Sequence, residues 1–170
     1  GKWEREFLGV SLSGDSLQQI AKTAPPNAIL SRETLQNEAT GSKVYVIGTV
    51  GGIRTILDKE GRKVVHLYLS LLRPINRREQ HVRTAIGNFD TLVSSMDAQV
   101  FMVKNSDIFV IYKDTAHPQV ETAVQQIRYL FDDDPLLEEE DASEQKFTSW
   151  YDAEQDFDAV LQTVQNLVNA

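Results

Sequence analysis

Val100-Phe-Met-Val-Lys-Asn-Ser-Asp-Ile-Phe-Val-Ile-Tyr112 is the stretch whose reading decides the fold. Two runs of β-branched and aromatic residues flank the polar tip Lys104, Asn105, Ser106 and Asp107, so the segment predicts an antiparallel hairpin. Asn, Ser and Asp tolerate the tight geometry that reverses the chain. The tip carries one carboxylate, Asp107, and no glycine. Hairpin tips on rigid sheets are where many domains hold their chemistry.

On the N-terminal side of the hairpin, Val64 to Leu72 is a nearly continuous apolar run between Gly61 and Pro74, as expected of a central strand buried on both faces. Arg77 to Met96 spaces Val82, Ala85, Ile86, Phe89, Leu92, Val93 and Met96 three and four apart, which predicts one amphipathic helix weakened at Gly87. On the C-terminal side, His117 to Asp132 repeats that period, with Pro118 in the first turn. Asp132 to Gln145 is an acidic run read as a solvated loop or frayed helix end, the alternative being an acidic docking strip. Lys146 to Asp152 predicts a short edge strand, and Ala153 to Ala170 a last helix. The order is strand, helix, hairpin, helix, strand, helix. It predicts an α+β domain over residues 58–170, an antiparallel sheet with helices on one face, of ferredoxin-like type.

Residues 1–57 are expected to form an N-terminal extension, an arm or cap. A short helix is expected at Ser16 to Thr23, stopped by Pro25-Pro26, and another is expected to open at Ser31 and Thr34. Lys43 to Leu57 is read as helix, although Val44-Tyr-Val-Ile47 favours a strand. Gly48-Thr-Val-Gly51-Gly52 lacks the lysine and hydroxyl of a P-loop and is read as a bend or a tight packing point.

At 170 residues, 41% hydrophobic and 25% charged, the chain is long enough for one sizeable core. No apolar run is long enough to span a bilayer. The absence of cysteine removes disulfides and thiolate chemistry and fits a cytoplasmic location. A net charge of −8 argues against nucleic acid as a partner, because phosphate contacts need a basic stripe. His66, His81 and His117 stand at no ligand-like spacing, and Ser42, Ser70 and Ser106 have no histidine at a triad spacing. The start at Gly1-Lys2-Trp3, without methionine, suggests an excised piece of a longer protein or the remnant of a tag.

Two anchors carry a family resemblance. Tyr68-Leu-Ser-Leu-Leu-Arg-Pro-Ile-Asn76 falls in register with the pattern Asp-x-Asp-x-Phe-Lys-x-x-Asn, with His81 five residues beyond Asn76. Asn105-Ser106-Asp107-Ile108-Phe109 falls on Gly-Gly-Asp-Glu-Phe. Over residues 60 to 170 the chain thus resembles a divergent GGDEF domain of the diguanylate cyclase family, which implies a nucleotide-cyclase-like sheet. That family joins GTP molecules with divalent metals held by carboxylates. Here the corresponding positions are Tyr68, Ser70 and Ile108, leaving Asp107 alone, and Asn105 and Ser106 replace the signature glycines. The family's product-binding Arg-x-x-Asp falls on Met96 and Gln99.

The resemblance therefore implies a module without cyclase activity, bound metal or cofactor, acting through contacts with a protein partner or a flanking signalling domain in a bacterial protein. A homo-oligomer through the terminal helix is a further expectation, although that helix would equally complete the core. The alternative is a non-catalytic guanine-nucleotide sensor using Asn76, Asp107, Arg73 and Arg77. A second alternative is an unrelated ferredoxin-like structural domain. Each residue also has a plainer role: Asn76 as a helix cap, Arg73, Arg77, Arg78 and Arg83 as solvated cations, His81 as a surface residue, and Asp107 as the acceptor of an Asx turn.

Overall fold

A computed structural model describes residues 28–34, 43–103, 105–138 and 146–169. The expected helix at Ser16 to Thr23, the double proline, Lys104 and the acidic segment 139–145 lie outside the described residues. Among the described residues, six strands form one sheet: β1 (Ala28–Thr34), β2 (Lys43–Thr49), β3 (Arg62–Leu67), β4 (Ala98–Met102), β5 (Ile108–Lys113) and β6 (Thr148–Asp152). Their spatial order is β2-β1-β4-β5-β3-β6, and every neighbouring pair is antiparallel. The helices are α1 (Val50–Leu57), α2 (Glu79–Gly87), α3 (Asp90–Ser94), α4 (His117–Leu130), the single turn α5 (Pro135–Glu138) and α6 (Phe157–Asn169). Among the described residues, no helix is long and apolar enough to cross a membrane.

The hairpin forms as its sequence predicts, with Phe101 opposite Phe109 and Met102 opposite Ile108. β5 is apolar almost without alternation because both of its faces are covered. On the first face, α2, α3 and α4 bury Ile86, Val93 and Val124 against Val65, Val100 and Val110. On the second, α1 and α6 bury Ile53, Val160 and Val164 against Val64, Phe101 and Phe109. Helices on one face only, the expectation from sequence, is therefore corrected. The terminal helix completes a second core together with a helix from the N-terminal extension.

That extension also departs from expectation. Ser31 and Thr34 do not open a helix but lie in β1, which pairs with β2 along seven residues and with β4 along three. Lys43 to Leu57 divides into a strand and a helix at Thr49 and Val50. The pairing partners decide the conformation where local propensity is divided.

Two further differences shape the site. The apolar run from Val64 leaves the sheet at Leu67, and Leu69–Leu71 and Pro74–Asn76 form tight 3-10 turns. Leu69 and Leu72, three apart, are buried while Leu71 projects outward, which suits a three-residue repeat and not a strand. The expected single helix from Arg77 to Met96 breaks between Gly87 and Asp90, where weak helix formers let Phe89 turn fully into the core.

Met96 closes α3 in the left-handed region, at φ 63°, with its side chain largely exposed. A glycine suits that position, since an L side chain there costs about 1–2 kcal/mol. Part of this gain is offset by the greater freedom glycine gives the unfolded chain, about 0.4–1 kcal/mol. Met96→Gly is thus expected to stabilise the protein by about 0.5–1 kcal/mol. A thermal melt with an unchanged or lower midpoint would contradict this.

Candidate functional site

The residues singled out in the sequence gather at the end of the sheet where β3 gives way to the tight turns. On the second face Phe101, Phe109, His66 and Ser149 lie side by side in register across β4, β5, β3 and β6. The imidazole of His66 stacks on Tyr68, with ring centroids 3.8 Å apart, and on Phe109, at 4.2 Å. Its Nε2 meets Oδ2 of Asp107 at 2.8 Å, and both residues are only 1% exposed. Nδ1 of His66 is buried and has no hydrogen-bond partner among the described residues.

The second oxygen of Asp107, Oδ1, accepts the backbone N–H of Ser70 at 2.9 Å. Asp107 is therefore not the acceptor of an Asx turn, as its place at the tip suggests. Asn105 takes that role, its Oδ1 accepting the N–H of Asp107 at 2.9 Å. Ser106, at φ 78°, adopts the backbone conformation a glycine would favour. The tip thus turns Asp107 inward, toward the strand that carries His66.

Tyr68 and Ser70, two residues apart, come together here with Asp107, 37 residues beyond Ser70. The Tyr68 hydroxyl bonds the Ser149 Oγ at 2.9 Å. Burial pushes its pKa above the ordinary tyrosine value, the Ser149 bond opposing that rise and the nearby Tyr151 and Asp107 adding to it. This set does not fit a magnesium ion. Its single carboxylate has both oxygens engaged by protein donors, and magnesium asks for a near-octahedral shell of oxygens. Among the described residues, no three His, Asp or Glu side chains are grouped to hold a metal.

Asn76, Arg73 and Arg77 belong to a second node, centred on a residue the sequence reading left in solvent. Asp134 is 1% exposed, although it sits in the acidic run that was expected to be solvated. Its Oδ2 accepts the Arg73 N–H at 2.9 Å and the Asn76 side-chain amide at 2.8 Å, and its Oδ1 accepts the Leu136 N–H at 3.0 Å. Burial alone would push the Asp134 pKa up. The bonds from Asn76, Arg73 and Leu136 and the Arg73 charge outweigh it and hold the carboxyl below its usual value. Asn76 is accordingly not a helix cap. Arg78 occupies the capping position of α2, with no side-chain bond to the helix.

The two nodes share one loop. The Arg77 guanidinium donates to the Ser70 carbonyl at 3.2 Å, and the Tyr68 N–H to the Phe147 carbonyl at 2.8 Å. Asp107 and Asp134 thus pin the chain from Tyr68 to Arg77 at both ends, and Leu71, Arg73, Pro74 and Ile75 face outward. His81 is half-buried with its ring 6.2 Å from that of Phe131, so it is not simply a surface residue.

A third polar cluster lies on the other face. Nδ1 of His117 meets the hydroxyl of buried Tyr112 at 2.8 Å, its Nε2 pairs with Glu121, and Trp150 packs edge-on against its ring. Burial, with the Glu121 and Asp114 charges, pushes the Tyr112 pKa far up. No spacing in the sequence announces this cluster, because its members come from β5, α4 and β6. The signal for His66 is equally slight, a histidine inside an apolar run. Compared with known proteins, the chain matches no family model, no curated protein and no solved structure.

Proposed function

We propose that this chain is a catalytically inactive, GGDEF-like regulatory module of a bacterial signalling protein that works by protein contact in the cytoplasm. The observation that carries the reading is the use made of Asp107. Where the resemblance would have a set of carboxylates open to metal, Tyr68 and Ser70 stand beside one carboxylate that is already bound by His66 and the Ser70 N–H. Its oxygens organise the fold instead of facing a nucleotide.

The ferredoxin-like, cyclase-like fold belongs to the same proposal. It is supported by the order β4-β5-β3-β6, in which β5 lies between β4 and β3 while β3 lies between β5 and β6. Each β-helix-β connection therefore crosses over a strand of the other. The sensor alternative is less favoured, because the amide by which Asn76 would recognise guanine is already donated to Asp134.

Purified protein incubated with GTP and magnesium or manganese is expected to return the nucleotide unchanged, and calorimetry to register no heat at millimolar GTP. Formation of a cyclic dinucleotide or release of pyrophosphate would overturn the inactive reading. Heat without turnover that vanishes in Asn76→Ala would establish the sensor instead.

A further inference from the structure

The pinned loop and the end of α4 lie next to each other, and both carry exposed side chains. Leu71 and Ile75 are 55% and 58% exposed, and Tyr129 on the last turn of α4 is 79% exposed. The two parts are held together by Asp134, which follows α4 and binds Asn76 and the Arg73 N–H. Exposed charges of both signs flank them: Arg73 and Arg78 on the loop, Asp132 and Asp133 beside Tyr129. Among the described residues, none of these four makes a close ion pair within its own chain, although the Arg73 charge also acts on the buried Asp134.

We propose that this face is self-complementary and that two copies of the chain meet on it about a twofold axis. In such a contact each surface point meets its counterpart across the axis, so the loop arginines of one copy face Asp132 and Asp133 of the other, twice over. A purely acidic partner would bring its charge against Asp132 and Asp133, and a basic one against Arg73 and Arg78. Only a surface that carries both signs side by side satisfies both. The loop is already ordered by Asp107 and Asp134, so little freedom is lost when it docks. This deepens the protein-contact reading and rests on it.

The test uses two charge-reversed chains. Arg73→Glu with Arg78→Glu makes the loop acidic, and Asp132→Arg with Asp133→Arg makes the α4 end basic. By analytical ultracentrifugation at about 100 µM, where a contact of standard size is populated, the unaltered chain is expected to sediment as a dimer. Each reversed chain alone is expected to be monomeric, since like charges then meet across the axis. An equimolar mixture is expected to recover the dimer, because every contact becomes opposite again. Ile75→Ser leaves the charges intact and is expected to weaken association at least about tenfold, with thermal melts confirming that each variant is folded. A monomeric unaltered chain, a reversed chain that still dimerises, or a mixture that stays monomeric each overturns the proposal. GTP turnover is read separately, so failure of the dimer and failure of the non-catalytic reading are distinguishable.

Discussion

Asp107→Ala is expected to cost about 2–5 kcal/mol of folding free energy, the cost of leaving two buried donors without their acceptor. The reason lies in what remains. The His66 imidazole stays enclosed against Tyr68 and Phe109 with no acceptor for Nε2, and the Ser70 N–H loses its partner as well. Domains of this size have only about 5–15 kcal/mol in total, so the variant stands near the edge of folding. His66→Phe leaves the Ser70 bond in place, and Asp107→Asn keeps an oxygen for it. Combined, these two are expected to cost less than the sum of their separate effects, because one change removes the group the other orphans. Urea unfolding of the four proteins measures this. An Asp107→Ala chain within about 1 kcal/mol of the parent would show that the pair contributes only an ordinary hydrogen bond.

The second large effect is at Asp134. Asp134→Ala removes the acceptor of the Arg73 and Leu136 N–H groups and of the Asn76 amide at once, each of them ending at a buried carboxylate. A loss of about 2–4 kcal/mol is expected, given the cost of leaving buried donors unsatisfied. The same residue sets an acid limit. Its pKa is lowered in the folded state, so the folded protein holds its proton more weakly than the unfolded chain does. The stability it contributes is complete above the unfolded value, near 3.9, and is lost as pH falls through the lower folded value. Below about pH 4 the parent should therefore lose stability more steeply than Asp134→Ala, and the two curves should converge. Parallel curves down to pH 2 would refute the assignment.

The two nodes also mark the limit of what the sequence could reveal. The hairpin, α4 and the edge strand were legible because their signals are local: two β-type runs about a polar tip, a three-to-four-residue period behind Pro118, and a short aromatic run after the acidic segment. Asp134 was illegible for the opposite reason. Its neighbours Asp132 and Asp133 are exposed, and its burial depends on an asparagine 58 residues away. His66 looked like one polar interruption in a buried strand, and only the inward turn of the hairpin tip supplies its carboxylate. The second layer of helices was missed because α6, taken alone, shows an apolar stripe but not which side of the sheet receives it. The choice of side is made by strand order, which appears only when distant segments pair.

Strand order also bears on how the chain is made. β3 lies inside the sheet, yet its two neighbours are β5 and β6, so one flank of it stays open until Thr148–Asp152 has left the ribosome. Phe101 and Phe109 likewise await α6, the last element described. Until β6 and α6 emerge, the nascent chain therefore carries an open strand edge and uncovered aromatic rings, features that invite pairing with other chains. A protein truncated before β6 would leave β3 with an unpaired edge and is expected to be a client for chaperones rather than a minimal domain.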